Sequence, residues 1–140
     1  PQHAAHHVLR GGLAHAAGDA YEGDLELLLV MPGQIPQGLL GGGHLDVELA
    51  GQIGSSHLSF ASEKAMENLL CTFPGAVSIL SLIYDKENKV QLLIDKEILE
   101  STYIGCHPCV NTCSLKIRLE DILKILLPKI SHQNFNIVEL

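Results

Sequence analysis

Apolar residues along this chain occur in two patterns: short continuous or alternating runs, and runs spaced by three and four residues. The first pattern is typical of β-strands and the second of amphipathic helices. A turn at residues 73–75 and a hairpin at residues 85–88 interrupt the central apolar stretch. Strands are predicted at residues 25–31, 58–60, 76–84, 89–95, 114–118 and 135–139.

The helical spacing, together with residues that start and stop helices, predicts three helices and one brief helical turn. Asp46 and Ser62 are the expected N-caps, while Gly54 and Pro128 are expected to end the first and last helix. The segments are residues 46–53, 62–70 and 120–127, with the turn at 98–99. Strands interleaved with helices predict a mixed α/β (α+β-like) domain, in which a mixed, mostly antiparallel sheet is flanked by helices.

The composition predicts a single domain over residues 1–140, with an aliphatic core, because 46% of the residues are apolar and only 4% are aromatic. No apolar run reaches the roughly 18 residues of a membrane span. We find no signal-peptide pattern and no ordinary disulfide spacing, so we expect a reducing, cytoplasmic environment. The net charge of −7 disfavours bulk binding to nucleic acid, but it is compatible with a small basic patch that recognises an RNA end.

Residues 1–57 differ in composition from the rest of the chain. They contain one cation, Arg10, with six of the eight His and eleven of the thirteen Gly, whereas residues 58–140 hold the other eight cations. We expect poor order or an irregular helix over residues 1–20 and a flexible loop over 38–43. The cluster His3, His6 and His7 is interpreted as a solvated tail.

The densest group of reactive side chains is residues 105–113, with the sequence Gly-Cys-His-Pro-Cys-Val-Asn-Thr-Cys. One hypothesis is a zinc site, since thiolates and imidazole are the ligands that zinc prefers, although structural zinc sites usually join two separated segments. A second is a cysteine nucleophile, but adjacent side chains in an extended segment point to opposite faces, so His107 is poorly placed to activate Cys106. Small structural cysteines near a sheet edge are the plainer interpretation of Cys109 and Cys113.

A third hypothesis is a binding loop. Gly105 allows the backbone to approach a ligand closely, and Pro108 fixes a turn. His107, Asn111 and Thr112 supply hydrogen-bonding groups that can orient a ligand. The residue types alone leave the three hypotheses open.

Several short motifs in register resemble the prolyl-tRNA editing domain family, which includes YbaK-like proteins and prolyl-tRNA synthetase associated domains. The resemblance covers about residues 58–140, and the order and spacing of the motifs agree with it. The motifs are LSFAS at 58–62, PGAVS at 74–78, LIYD at 82–85, VQLLIDK at 90–96, HPxxNT at 107–112 and LEDIL at 119–123.

The resemblance implies an aminoacyl-tRNA deacylase that removes a wrong amino acid, typically alanine, from tRNA specific for proline. It implies no cofactor and no metal, because water is positioned by backbone dipoles and by a hydroxyl of the substrate. The implied partners are the acceptor end of mischarged tRNA and, as a further candidate, prolyl-tRNA synthetase. The implied substrate-binding residues are Gly75, Gly105, His107, Pro108, Asn111 and Thr112.

The chain departs from the family at an early position where members usually carry a functional lysine. No Lys precedes Lys64, and the corresponding place falls near residues 10–15, where Arg10 is not equivalent to a lysine. Residues 1–57 are thus either a diverged first half or the product of an altered reading frame or splice. The alternative functions are therefore a catalytically inactive tRNA- or protein-binding module and, with less support, a zinc-binding interaction domain.

Overall fold

The structure is a computed structural model that describes residues 13–17, 26–31, 44–54 and 58–139. Its strands alternate with short helices along the chain, as the apolar pattern predicts. The strands are β1 (Leu13–Ala17), β2 (Glu26–Met31), β3 (Leu58–Phe60), β4 (Val90–Asp95), β5 (Tyr103–Cys106), β6 (Leu115–Arg118) and β7 (Phe135–Val138).

The helices are short, and several of them are not α-helical. Two 3₁₀ helices cover Ile79–Tyr84 and Lys96–Glu100, and a π-helical segment covers Ile122–Leu126. The α-helices are α1 (His44–Ile53), α2 (Glu63–Leu70), α3 (Leu119–Asp121) and α4 (Leu127–Lys129). None of the helices in the described part of the chain is long and apolar enough to cross a lipid bilayer.

The described strands form a five-stranded sheet, in the order β3–β1–β2–β4–β7, and a separate two-stranded ribbon of β5 and β6. β1 is antiparallel to both β2 and β3, whereas β4 is parallel to both β2 and β7. The ribbon is antiparallel. Three of these five pairings are antiparallel, and the predicted mixed α/β class is confirmed.

Strand β4 lies inside the sheet and is buried on both faces. Residues on both of its faces, among them Val90, Leu92 and Leu93, are at most 2% exposed. A strand with both faces covered needs an unbroken apolar run rather than an alternating one, and residues 90–94 supply that run with one exception, Gln91. The core cluster continues from β4 to α2, to the first 3₁₀ helix and to the C-terminal helical segment.

Helix α2 follows the prediction closely. The Ser62 hydroxyl accepts a hydrogen bond from the Ala65 backbone N–H at 3.2 Å, which caps the first turn. Met66 and Leu70 are buried on the inner face. The helix ends at Cys71, which adopts the left-handed conformation with φ of 47°.

The predicted strand at residues 76–84 is wrong, and so is the hairpin that was expected to follow it. Ile79–Tyr84 is a 3₁₀ helix that begins with a capping box made by Ser78 and Ser81. These hydroxyls accept hydrogen bonds from backbone N–H groups at the helix start. The helix buries Ile79 and Leu82, while Ile83 and Tyr84 are exposed. Residues 85–88 therefore connect this helix to β4, rather than joining two strands.

Two predicted helix boundaries are also wrong. Helix α1 begins at His44, so Asp46 lies inside it, although Gly54 does follow its end with φ of 72°. The last helical segment runs from Leu119 to Lys129 and continues past Pro128. The π-helical turn before Pro128 widens the backbone, which relieves the contact of a proline ring with the preceding turn.

A buried pair joins the start of β4 to the segment after α4. Asp85 and His132 are each 4% exposed, and His132 Nε2 lies 3.2 Å from Asp85 Oδ2. The backbone N–H groups of Lys89 and Val90 also donate to this carboxylate, at 3.0 and 2.7 Å. Each oxygen of this buried carboxylate thus has at least one hydrogen-bond donor nearby.

Part of the N-terminal prediction can be compared with the structure. Leu13–Ala17 forms strand β1, rather than the irregular helix or poorly ordered segment expected over residues 1–20. Pairing on both sides, with β2 and β3, accounts for a strand in a stretch with little apolar pattern. The other residues of 1–20, including Arg10 and the three clustered His, and the predicted loop at 38–43 lie outside the described residues.

Candidate functional site

The loop between β5 and β6, residues 107–114 (the His107 loop), is held by hydrogen bonds at its two ends. The Ser78 hydroxyl donates to the His107 carbonyl oxygen at 2.5 Å. His107 Nδ1 lies 2.9 Å from the carbonyl oxygen of Cys113, which closes the loop on itself. The loop therefore has a fixed attachment to the segment that precedes the first 3₁₀ helix.

The second of these bonds fixes which nitrogen of the His107 ring carries a hydrogen. A carbonyl oxygen only accepts, so Nδ1 must carry the hydrogen and donate it. In the neutral imidazole, Nε2 is then left as an acceptor. His107 is half-buried, so its ring combines a fixed orientation with a partly accessible acceptor nitrogen.

Ser78 belongs to the site, although the sequence did not indicate it as a functional residue. Its side chain is fully buried, and besides donating to His107 it accepts from the Leu80 backbone N–H at 3.2 Å. Ser81 accepts from the Ser78 backbone N–H at 3.2 Å, and its hydroxyl lies 3.6 Å from Cys109 Sγ. The sequence did indicate that Ser78 could begin a helix, because the Ser-x-x-Ser spacing of Ser78 and Ser81 is typical of a helix start.

The structure connects one of the predicted substrate-binding residues to a distant segment. His107 accepts from Ser78 through its carbonyl oxygen, half-buried Pro108 follows it in the loop, and Gly75 lies in a turn three residues before Ser78. Asn111 and Thr112 are exposed, and neither forms one of the hydrogen bonds that fix the loop. Gly105 lies in β5, opposite Lys116 of β6. The substrate-binding role of all six residues stays a prediction.

Gly75 is expected to tolerate no side chain, for a reason that lies in the backbone alone. Its φ is 88°, which L-residues rarely adopt, yet a Cβ there would meet no atom within 4 Å. Gly75→Ala should lower the free energy of unfolding by about 1–2 kcal/mol. Gly51→Ala is a matched control, because Gly51 also has open space but lies in α1; it should stabilise the chain by about 0.5–1 kcal/mol. Urea unfolding of both variants measures the difference, and equal effects would contradict the backbone explanation.

The hypothesis of a cysteine nucleophile receives no support from Cys106. The residue is 1% exposed, and burial, with a smaller contribution from Cys109, raises the pKa of its thiol to about 11. A thiol must ionise to attack, so this environment suppresses its reactivity at neutral pH. The His107 ring makes its hydrogen bond to the Cys113 carbonyl oxygen rather than to the Cys106 thiol.

Thiol modification should therefore separate the four free cysteines by their environment. Cys71 and Cys113 are exposed, whereas Cys106 is buried. The raised pKa lowers the thiolate fraction of Cys106 about a hundred-fold below that of a thiol of pKa 9.0. We expect iodoacetamide at pH 7.5 to modify Cys106 at least a hundred-fold more slowly than the exposed cysteines, as followed by peptide mass spectrometry. In urea the four rates should converge; rapid modification of Cys106 in the folded chain would contradict its burial.

The zinc hypothesis is not supported by the described geometry either. Among residues 13–17, 26–31, 44–54 and 58–139, no three His, Cys, Asp or Glu side chains are grouped as metal ligands. The proposed set needed His107 together with Cys106, Cys109 and Cys113, but the His107 ring bonds to the Cys113 carbonyl oxygen. The Cys109 thiol contacts the Ser81 hydroxyl.

Comparison with known proteins identifies the family. The sequence profile of the aminoacyl-tRNA editing domain matches residues 39–125. A prolyl-tRNA editing protein of Acetoanaerobium sticklandii is 33% identical over 92 residues, which cover 66% of this chain and 55% of that protein. Prolyl-tRNA synthetase associated domain-containing protein 1 of Danio rerio is 32% identical over 81 residues, which cover 56% of this chain and 44% of that protein. The chain spans about half the length of these relatives.

A solved structure provides a comparison of fold alone. A chain from work on epitope backbone grafting onto scaffold proteins by computational design superposes with a TM-score of 0.56. It is 11% identical, and the match covers 92% of this chain and 71% of the other.

The match to the sequence profile covers more than half of the chain and includes the Ser78 segment and the His107 loop. The chain belongs to the aminoacyl-tRNA editing domain family.

Proposed function

We propose that this chain hydrolyses the ester bond between a wrong amino acid and the 3′-terminal ribose of a tRNA, with alanine on tRNA specific for proline as the substrate. The observation that carries the proposal is the profile match over residues 39–125, which contains the loop that Ser78 and His107 fix in place. The relative from Acetoanaerobium sticklandii, which is named a prolyl-tRNA editing protein, supports the choice of tRNA. The proposed compartment is the cytoplasm.

The chemistry we propose needs positioning rather than a nucleophilic side chain. Water adds to the ester carbonyl carbon, the bond from that carbon to the ribose oxygen breaks, and the ribose oxygen takes up the proton that the water loses and becomes a hydroxyl. His107 Nε2, as an acceptor, is suited to hold the amino group of the aminoacyl moiety or the attacking water. Backbone N–H groups of the loop are suited to stabilise the developing negative charge. A small site would admit alanine and reject proline by size.

Release of radiolabelled alanine from alanyl-tRNA specific for proline tests the proposal. The chain should release alanine above the buffer rate, and His107→Ala should lower that rate about ten-fold to a thousand-fold, because the ring is one of the few fixed polar groups in the loop. His107→Gln, which retains an acceptor, is compared with His107→Ala. Full activity of His107→Ala would remove this residue from the site.

A second candidate is a catalytically inactive module that binds tRNA or protein. The observation that favours it is the absence of any Lys before Lys64, since the family usually carries a functional lysine early in the chain. Strand β1 lies partly over the expected stretch and contains no Lys. Binding of alanyl-tRNA in a filter assay, with no alanine released, would establish this alternative. Prolyl-tRNA synthetase is a further partner that co-purification of the two proteins can test.

A further inference from the structure

The β5–β6 ribbon has two faces of opposite character. On one face, Ile104 and Cys106 are buried at 8% and 1% exposure and pack toward the core. Residues that alternate with these along a strand project from the other face. That outer face carries Tyr103 and Gly105 on β5, with Lys116 and Arg118 on β6.

The register of the ribbon brings these four residues together. Tyr103 is paired with Arg118, and Gly105 is paired with Lys116. Because Gly105 has no side chain, the Lys116 side chain lies diagonally across the ribbon, and its Nζ is 4.6 Å from the centroid of the Tyr103 ring. Such a cation–aromatic contact holds the ring and the charge side by side.

This outer face is exposed and positively charged, in a chain whose net charge is −7. Tyr103 is 43% exposed, and Lys116 and Arg118 are both exposed. Glu120 lies two residues after Arg118, and its pKa is lowered mainly by Lys124 and only secondarily by Arg118. The Glu120 carboxylate forms its ion pair with Lys124, at 2.6 Å. The two cations of the ribbon are thus largely available for a ligand.

The face is also continuous with the candidate site. Gly105 lies on it, and β5 leads directly into the His107 loop, while β6 leads directly out of it. A ligand that places one end in the loop would extend its next groups over the ribbon. An exposed aromatic ring beside two cations is what a single-stranded nucleic acid requires, with stacking for a base and charge for the adjacent phosphates.

We propose that the outer face of the β5–β6 ribbon, formed by Tyr103, Lys116 and Arg118, binds the unpaired 3′ end of the RNA whose aminoacyl group enters the His107 loop. The inference rests on the proposed function, since it takes an aminoacylated RNA as the ligand. Tyr103 stacks on a base, and Lys116 and Arg118 neutralise backbone phosphates. An acidic protein thereby holds one RNA end without binding nucleic acid over its whole surface.

Fluorescence anisotropy with a labelled single-stranded RNA ending in CCA tests the proposal. Tyr103→Leu, which retains an apolar side chain, should weaken binding by about five-fold or more. The double variant Lys116→Gln/Arg118→Gln should reduce the slope of log affinity against log salt by about 1.4. The matched control Lys64→Gln/Lys129→Gln, which removes two exposed cations elsewhere, should change neither quantity. All three positions of the ribbon are exposed, so circular dichroism should show unchanged folding.

Several results would overturn the proposal. The ribbon variants could bind the RNA as tightly as the unaltered chain, or the control variant could weaken RNA binding as much as they do. The RNA could bind equally tightly when its 3′ end is base-paired, or the unaltered chain could bind it with a dissociation constant above about 10⁻⁴ M. Alanine release from alanyl-tRNA separates this inference from the proposed function. The ribbon variants should raise KM and leave kcat unchanged. Normal ribbon-dependent binding without any release would refute only the hydrolysis, whereas release with an unchanged KM and unchanged binding would refute only the ribbon.

Discussion

Replacing Asp85 by Ala is expected to destabilise the chain by about 3–5 kcal/mol, which is a third or more of the stability of an ordinary domain. The carboxylate is 4% exposed and accepts hydrogen bonds from the backbone N–H groups of Lys89 and Val90. His132 Nε2 lies 3.2 Å from it. Removing the carboxylate leaves the buried Val90 N–H without its acceptor and leaves His132 Nε2 with only the Asp85 carbonyl oxygen, 3.3 Å away. Water has little access to replace the lost oxygen.

Urea unfolding followed by circular dichroism measures this effect. Asp85→Asn keeps the shape and one acceptor oxygen, so it should cost clearly less than Asp85→Ala. Glu87→Gln serves as the surface control, because Glu87 pairs with Lys89 while both side chains are mostly exposed, and its unfolding midpoint should not shift. Comparable midpoints for Asp85→Ala and Glu87→Gln would show that the buried pair contributes nothing.

A double-mutant cycle with His132 identifies how much of the loss belongs to the pair. If the two side chains act as a unit, His132→Ala added to Asp85→Ala should cost much less than it costs in the unaltered chain. Additive losses would show that Asp85 acts only through the backbone of the β4 start. The pair matters for the site because Asp85 directly follows the 3₁₀ helix whose first residues hold the His107 loop.

The sequence predicted the elements whose signals are local. The strand at 25–31 carries a short apolar run, and the helix at 62–70 carries helical spacing after its N-cap Ser62; they appear as β2 and α2. The apolar run at 76–84 was misleading because a short apolar run is compatible with a 3₁₀ helix as well as with a strand. In the 3₁₀ helix Ile79 and Leu82 are buried, whereas Ile83 and Tyr84 are exposed. The Ser-x-x-Ser spacing at its start, which favours a helix, was the better guide.

Other features could not be predicted because they depend on contacts between distant segments. Strand β1 has a weak pattern of Leu, Ala and His, and it is explained only by its pairing with β2 and β3. The parallel pairing of β4 with β2 and β7 joins residues far apart in sequence, so no turn residue could indicate it. The π-helical turn that lets the last helix pass Pro128 has no local signature either.

The candidate site divides in the same way. Motif resemblance located His107 and Pro108, and the cysteines that first drew attention to the segment have no role in our proposal. Ser78 lies within a matched motif, yet its importance comes from a contact across 29 residues of sequence. The outer face of the ribbon depends on the register of β5 and β6, which places Lys116 beside Tyr103. The chemistry of single side chains could be predicted from the sequence, whereas the contacts between side chains from distant segments could be seen only in the fold.

Ser78→Ala is expected to release the His107 loop and to reduce catalysis more than any other single change outside the loop. The Ser78 hydroxyl is fully buried and donates to the His107 carbonyl oxygen at 2.5 Å, so its loss leaves that carbonyl without this donor. It also removes the acceptor for the Leu80 N–H at the start of the 3₁₀ helix. Together these losses should cost about 2–3 kcal/mol of stability.

The catalytic consequence follows from the position of His107. A shift of about 1 Å in a positioned group costs roughly a hundred-fold in rate, so alanine release should fall by about that factor with a smaller change in KM. Hydrogen exchange gives a second readout that does not depend on turnover: amides in residues 107–114 should exchange faster in Ser78→Ala. This second measurement keeps the prediction testable if the chain binds its RNA without hydrolysing the ester.

Ser81→Ala is the matched control, because it removes the other half of the same capping box. It takes away the acceptor of the Ser78 N–H and the contact with Cys109, but it leaves the bond from Ser78 to His107 in place. Both variants should lower the unfolding midpoint, whereas only Ser78→Ala should strongly accelerate exchange in the His107 loop and reduce alanine release. Equal losses in the two variants would mean that the capping box stabilises the helix without positioning His107, and the bond between Ser78 and His107 would then have no specific role in the site.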